Sequence, residues 1–119
     1  MQTKQILGQH ALLDLHGCDV SVLGNVDNVQ ALLLRAAESA QATVLFHHFH
    51  HFGGESGVTG VLLLAESHIS IHTWTEHAFA AADVFLCGER VNLQAACQVL
   101  VQGLNAQQFD LKIQNRGLL

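Results

Sequence analysis

The stretch that decides the fold is LAESHISIHTW, residues 64–74. An apolar run ends at Glu66 and Ser67, and a second run follows in which apolar and polar residues alternate. Alternation with a period of two is typical of a β-strand, so we expect two strands that meet at the Glu-Ser step. A serine hydroxyl needs an adjacent base or a strained, polarised target to act as a nucleophile. Because Glu66, His68 and His72 lie close to Ser67 in the sequence, this step is the first candidate for chemistry.

Hydrophobic periodicity on either side of this stretch predicts the remaining elements. Alternating or continuous apolar runs predict strands at residues 7–15, 42–49, 58–65, 79–87 and 109–113. Helical spacing predicts one helix from Asp27 to Ala40, with Asn25 or Asp27 as its N-cap, and a second helix capped by Asn92. The order strand, helix, several strands, helix, strand predicts an α/β fold. We expect a two-layer α/β sandwich, in which a mostly antiparallel sheet carries two helices on one face.

Length and composition restrict the class of protein. A chain of 119 residues fits a single domain, residues 1–119, and 50% hydrophobic residues provide for a buried core. The formal net charge of −5 leaves no clustered basic face for nucleic acid, and it disfavours anionic membranes as partners. The sequence shows neither a secretory signal pattern nor an apolar run of membrane-spanning length. Its three cysteines lack metal-type spacing, and reduced thiols indicate a cytoplasmic protein.

The run from His47 to Cys87 resembles the bacterial S-adenosylmethionine decarboxylase proenzyme family. The matching blocks are FHHF at 49–52, GVTG at 57–60, ESHISIHTW at 66–74 and AAADVFLCG at 80–88. Residues 7–18 and the closing Arg116-Gly117 also fit, so the resemblance spans nearly the whole chain. A Glu-Ser-His followed by Ser-Ile-His-Thr-Trp, with a Cys-Gly at this distance, is highly specific to that family.

The resemblance implies that the chain cuts itself between Glu66 and Ser67. The Ser67 hydroxyl would attack the Glu66 carbonyl to give an ester, and elimination and hydrolysis would leave Ser67 as a pyruvoyl group. The products would be a β chain, residues 1–66, and an α chain, residues 67–119. The pyruvoyl group is then the covalent cofactor, whose ketone forms a Schiff base with the substrate amine. The implied product is decarboxylated S-adenosylmethionine, the aminopropyl donor for spermidine.

Three further residues receive catalytic roles from the resemblance. His72 resembles the base that removes the Ser67 α-proton, and imidazole can accept a proton near neutral pH. Thr59 stands where many family members have a serine that assists the acyl shift, and it keeps the hydroxyl. Cys87 resembles the acid that returns a proton to the substrate carbon after decarboxylation.

The resemblance also implies a substrate site and an assembly. Glu76 resembles the carboxylate that binds the ribose hydroxyls, while Phe52 and Trp74 resemble the aromatic contacts to adenine. The loop between Phe52 and Gly57 carries one residue more than the commonest family spacing, and Thr75 replaces the usual proline after Trp74. Family members form homodimers whose active sites draw on both protomers, so we expect the same here.

Strand geometry requires an irregular backbone at the Glu66–Ser67 step if this chemistry is to occur. Alternate residues of a strand point to opposite faces, so His68 and His72 would share a face that Ser67 does not. A sharp turn or a bulge at the Glu66–Ser67 step is therefore required, and a strained peptide would favour self-cleavage.

Other functions remain open from the sequence. The same pyruvoyl chemistry could serve a different amino acid, such as ornithine or arginine, because substrate preference depends on the aromatic and ribose contacts. A non-enzymatic binding protein would require loss of processing. Imidazole is a common zinc ligand, so the histidines could instead form a metal site, although our main hypothesis assigns no metal; the candidates are His47, His48, His50, His51, His68 and His72.

Overall fold

The computed structural model describes residues 5–119, and its centre is one six-stranded sheet. The strands are β1 Ile6–His16, β2 Val44–His51, β3 Val58–Leu64, β4 Ser67–Trp74, β5 Phe79–Cys87 and β6 Gln108–Leu118. They lie in the order β2-β3-β4-β5-β1-β6, and each neighbouring pair is antiparallel. The predicted mostly antiparallel sheet is thus confirmed, and the described strands contain no parallel pair.

Two long helices, α2 Val26–Ser39 and α3 Leu93–Gly103, cover one face of the sheet, as predicted. The side chain of Asn25 accepts a hydrogen bond from the Asn28 amide, and that of Asn92 accepts one from the Ala95 amide, each at 3.0 Å. Both asparagines therefore cap the first turns of their helices. A short helix, α1 Val20–Leu23, precedes α2 and was not predicted. No helix in residues 5–119 is long and apolar enough to cross a membrane.

The core lies between the helices and one face of the sheet. In β4 the buried residues Ile69 and Ile71 point towards the helices, and α2 and α3 contribute leucines and alanines opposite them. Cys97 of α3 is 3% exposed and serves as a small apolar core residue, as predicted. Burial raises the pKa of its thiol to about 11. His68, Ser70 and His72 of β4 consequently lie on the other face of the sheet, which no helix of residues 5–119 covers; we call it the open face.

The GVTG block positions β3 by close backbone packing. A Cβ atom at Gly60 would overlap the Phe49 ring on β2, and one at Gly57 would overlap the backbone of Thr73 on β4. The buried Thr73 hydroxyl donates to the Leu23 carbonyl at 2.8 Å and accepts from the Val58 amide at 2.8 Å. These contacts fix the start of β3 against β4, and Thr59 follows at the next position.

Candidate active site

The Glu66–Ser67 step forms the tight turn between β3 and β4. Leu64 pairs with Ser67, so only Ala65 and Glu66 connect the two strands. Ser67 has a φ of 138°, a backbone conformation that residues with a side chain rarely adopt. The predicted sharp turn is present, and the strain is at the residue whose preceding bond is the candidate for cleavage.

The carbonyl of that bond is held in place from the end of β5. The Cys87 amide donates a hydrogen bond to the Glu66 carbonyl oxygen at 2.9 Å. The Glu66 side chain is held separately, since its carboxylate accepts from the Thr43 amide at 2.9 Å. A hydrogen-bond donor on the carbonyl oxygen polarises the carbonyl carbon and stabilises negative charge that develops there. The step thus offers a polarised target beside a serine hydroxyl.

The Ser67 hydroxyl contacts a histidine, although it is not the one predicted. Its oxygen lies 3.3 Å from Nδ1 of His68, whose Nε2 lies 2.8 Å from an oxygen of Asp83. Nε2 of His10 reaches the same Asp83 oxygen at 2.6 Å, and Ser70 donates to the other oxygen. Sequence analysis did not single out His10 or Asp83.

Asp83 is charged in this cluster although it is partly buried. Burial raises its pKa, but hydrogen bonds from Ser70, His10 and His68 lower it below its usual range. An ionised carboxylate only accepts hydrogen bonds. In the neutral imidazole of His68, Nε2 therefore carries the proton that it shares with Asp83, and Nδ1 is left as an acceptor facing Ser67.

Thr59 and His72 form a second hydrogen-bonded pair, away from Ser67. They face each other across β3 and β4, and the Thr59 hydroxyl lies 3.0 Å from Nδ1 of His72. His72 lies five positions after Ser67 along β4, a distance of about 16 Å at the usual rise of a strand. The structure therefore brings two of the predicted site residues, Thr59 and His72, together, but it does not bring either residue to Ser67 of the same chain.

Aromatic rings flank His72. Trp74 stacks on the His72 ring with ring centroids 4.0 Å apart and an interplanar angle of 27°. The Phe52 ring is also stacked on His72, with centroids 6.0 Å apart and an interplanar angle of 26°. The predicted adenine contacts, Phe52 and Trp74, therefore lie at one end of β4. The Thr75 hydroxyl donates to the Glu55 carbonyl in the long loop, and this bond ties the loop to the position where the family usually has proline.

The two remaining predicted residues lie at opposite ends of the site. Glu76 is exposed on the single 3₁₀ turn Thr75–His77, where it lines a groove with Glu55 and Asn25. Cys87 is half-buried at the end of β5, opposite Gly8 of β1, and its thiol is free. By register, the Cys87 side chain shares the open face with Asp83, two positions beyond Phe85.

Comparison with known proteins assigns the chain to a family. A family model described as S-adenosylmethionine decarboxylase matches residues 9–117. The chain belongs to the S-adenosylmethionine decarboxylase family. A protein of a Sulfurihydrogenibium species, named S-adenosylmethionine decarboxylase proenzyme, is 43% identical over 98% of this chain and 86% of its own length. One of the same name from Aquifex aeolicus is 40% identical over 95% of this chain and 83% of its own length.

A solved structure of an S-adenosylmethionine decarboxylase has the same fold. The crystal structure of the adenosylmethionine decarboxylase from Aquifex aeolicus superposes with a TM-score of 0.90 at 38% sequence identity. The match covers 97% of this chain and 94% of that chain. The family and the two-layer sandwich predicted from the sequence are both confirmed.

The geometry also bears on the alternative hypothesis that the histidines form a metal site. His47 and His51 lie on the helix side of β2, whereas His48 and His50 lie on the open face. Within residues 5–119, the single group of three ligand-type side chains in mutual reach is His10, His68 and Asp83. Their separations of 2.6 and 2.8 Å are hydrogen-bond lengths. The four histidines of β2 are therefore not part of a metal-ligating cluster in this S-adenosylmethionine decarboxylase family member.

Proposed function

We propose that this chain cuts itself between Glu66 and Ser67 and then decarboxylates S-adenosylmethionine with the pyruvoyl group made from Ser67. The observation that carries the proposal is the Glu66–Ser67 step, where a strained serine follows a carbonyl that is already held by a hydrogen-bond donor. Membership of the S-adenosylmethionine decarboxylase family, whose named relatives are proenzymes, supports the same function. The product would supply the aminopropyl group of spermidine.

The cleavage uses only groups of the chain and water. The Ser67 hydroxyl oxygen bonds to the Glu66 carbonyl carbon, the peptide C–N bond breaks, and the freed amine takes a proton. The Cys87 amide would stabilise the negative charge on the Glu66 oxygen during this step, because it already donates to that atom at 2.9 Å. Loss of the Ser67 α-proton then expels the ester carboxylate of Glu66. Water then adds at the Ser67 α-carbon, the nitrogen leaves as ammonia, and the ketone remains.

The residues at the turn fit such a group. When present, a pyruvoyl ketone supplies an electrophile for a substrate amine and a sink for the electrons released with carbon dioxide. Cys87 lies at the end of β5 beside this turn, and its thiol is free. A thiol can donate a proton to carbon, which is the role that the family resemblance implies for Cys87.

We also propose that the active site is completed by a second copy of the chain. A two-fold axis that crosses the strands at Ser70 and lies between two facing sheets would place Ser67 of one copy over Thr59 and His72 of the other. Packed sheets lie about 10 Å apart, so side chains from both can meet between them. His72 of the partner subunit would then remove the Ser67 α-proton, and each dimer would contain two equivalent sites.

The open face has the character of such an interface. Phe46, Leu63 and Leu12 project from it and are 58%, 48% and 46% exposed. A groove of about 850 Å³ crosses its middle, between His48 on β2 and Lys112 on β6. Exposed apolar side chains on one face of a sheet favour burial against another apolar surface. A second sheet with the same residues provides that surface.

S-adenosylmethionine is the substrate that the stacked aromatic rings support. Flat rings at Trp74 and Phe52 can stack with adenine, a group that neither ornithine nor arginine contains. Release of carbon dioxide should therefore occur with S-adenosylmethionine and not with ornithine or arginine at equal concentration. If carbon dioxide were released only from ornithine or arginine, the pyruvoyl chemistry would stand, but S-adenosylmethionine would not be the substrate.

Three free cysteines fit a reducing cytoplasm as the place of the reaction.

Intact mass under denaturing, reducing conditions tests the cleavage. We expect two species, residues 1–66 and residues 67–119 with a pyruvoyl N-terminus, whereas the Ser67→Ala variant should remain one chain. Treating the isolated α chain with cyanoborohydride and an amine should add the amine to its N-terminus. A wild-type chain that stays whole after prolonged incubation at neutral pH would refute the proposal.

Co-expression of two inactive variants tests the shared site. Neither Ser67→Ala nor His72→Ala should complete cleavage alone, because the first lacks the nucleophile and the second lacks the base. In a mixed dimer, the His72→Ala chain keeps Ser67 and receives His72 of the partner subunit. Mass tags on each chain should show cleavage of the His72→Ala chain only. If mixed dimers form and neither chain is cut, the two-copy site is wrong.

A further inference from the structure

Four polar side chains form a connected line across the open face and end at Ser67. Arg116 on β6 lies with one guanidinium nitrogen 3.1 Å from Nδ1 of His10 on β1. His10 and His68 approach one oxygen of Asp83 from opposite sides, at 2.6 and 2.8 Å. His68 then reaches the Ser67 hydroxyl at 3.3 Å.

We propose that His68 is a catalytic residue that takes the proton of the Ser67 hydroxyl during the acyl shift, and that Asp83 and His10 position it. The inference rests on the proposed self-cleavage and assigns its first step to a group of the same chain. His68 touches the reacting oxygen, whereas His72 lies about 16 Å from Ser67 along the same strand. Two bases therefore serve two steps: His68 starts the acyl shift, and His72 of the partner subunit removes the α-proton.

The hydrogen-bond directions fit a base at this position. Because the ionised Asp83 only accepts, His68 donates from Nε2 and presents the lone pair of Nδ1 to Ser67. A carboxylate that holds an imidazole in one tautomer and stabilises its protonated form is the arrangement that activates serine in hydrolases. The distance of 3.3 Å is within the looser range of such pairs before reaction.

The proton and the electrons of this step balance among the groups at the Glu66–Ser67 turn. As the Ser67 oxygen forms its bond to the Glu66 carbon, its proton passes to Nδ1 of His68. Negative charge builds on the Glu66 oxygen, where the Cys87 amide donates. When the C–N bond breaks, the imidazolium returns the proton to the Ser67 nitrogen, so no external acid or base is consumed.

His10 and Arg116 fix the far side of the cluster. The Arg116 guanidinium donates to Nδ1 of His10, so Nε2 of His10 carries the hydrogen that it gives to Asp83. Arg116 also lies over the Phe85 ring at 5.2 Å, and His10 stacks on the same ring at 4.9 Å. The titratable groups that face His68 are Asp83 and His10, and its neighbour on β3 is the uncharged Leu63.

The chain contains a matched control pair. His16 and Asp110 lie 3.9 Å apart on β1 and β6 of the same sheet, where both side chains are well exposed. The substitutions His16→Gln and Asp110→Asn therefore make the same chemical changes in the same sheet, away from the Ser67 cluster. Circular dichroism of each variant monitors folding.

The experiment follows cleavage of chains made by cell-free synthesis, with intact mass recorded against time at several pH values. His68→Gln should slow cleavage at least about tenfold, since a positioned general base contributes about 10²-fold or more. His16→Gln should cleave at the wild-type rate. Added imidazole should restore part of the rate to a His68→Ala variant, an effect that a structural role would not produce.

The pH profile separates positioning by Asp83 from a structural role. Cleavage of the wild-type chain should accelerate as the base loses its proton. Asp83→Asn should be slower, and the midpoint of its profile should move to lower pH because the imidazolium loses its anionic neighbour. Asp110→Asn should leave the midpoint in place. A chelator should change no rate, because the cluster works without a metal.

Each failure has a distinct signature. A wild-type chain that never cleaves refutes the proposed function itself. If the wild-type chain cleaves and a folded His68→Gln chain cleaves equally fast, His68 is not the base. An unchanged midpoint in Asp83→Asn, or cleavage that stops on chelation, also overturns the assignment of these residues.

Discussion

Replacing Ser67 by Gly should make the uncleaved chain more stable than replacing it by Ala. Neither variant can form the ester, so both report on the intact turn. The φ of 138° costs a residue with a side chain about 1 to 3 kcal/mol, whereas glycine adopts it freely. Glycine in a strand ordinarily loses about 0.5 to 1 kcal/mol relative to alanine. The difference leaves Ser67→Gly about 1 kcal/mol more stable than Ser67→Ala.

Urea unfolding measures this difference. The two variants are compared at one protein concentration, since the unfolding of an oligomer depends on concentration. Ala81→Gly on β5, at a position without a positive φ, is the control; introduced into the Ser67→Ala chain, it should cost about 0.5 to 1 kcal/mol. If Ser67→Ala is as stable as Ser67→Gly or more stable, the turn stores no strain, and strain cannot contribute to cleavage.

Three further predictions concern neighbouring groups. Thr59→Val removes the hydroxyl bonded to His72 and should slow cleavage about 10²-fold, whereas Thr59→Ser should still cleave, as intact mass against time will show. Cys87→Ala should cleave, because its backbone amide remains, but should release carbon dioxide from S-adenosylmethionine more slowly. Because folding lowers the pKa of Asp83, this residue stabilises the fold at pH values above its usual pKa near 4. Urea midpoints of the uncleavable Ser67→Ala chain should therefore fall as pH drops below 4, and less so when Asp83→Asn is added.

The sequence predicted the elements whose pattern is local. The predicted strand at 79–87 matches β5, and that at 58–65 exceeds β3 by one residue. The short helix α1 was missed because four residues are too few to show a helical period. β6 continues to Leu118, five residues past the predicted end, because its pairing with β1 extends as far as Ile6. Such extension depends on the partner strand and leaves no local signal.

The same distinction between local patterns and long-range pairing applies to the residues of the candidate site. Thr59 and His72 were identified from short motifs that resemble the family, and the turn at Ser67 followed from strand parity. His10 and Asp83 were missed because 73 residues separate them and neither has a characteristic spacing. Only the register of β1 against β5, which pairs His10 with Phe85 and Leu12 with Asp83, brings them to one place.

Cleavage at the turn should leave the fold intact, because the two products are interleaved in the sheet. Residues 1–66 contribute β1, β2 and β3, and residues 67–119 contribute β4, β5 and β6. Three of the five strand pairings, β3 with β4, β5 with β1, and β1 with β6, join the two products. The buried faces of α2 and α3 also belong to different products and share one core. Cutting the Glu66–Ser67 bond would therefore release the strain at Ser67 without separating strands, and the new N-terminus would stay beside Cys87 and His68.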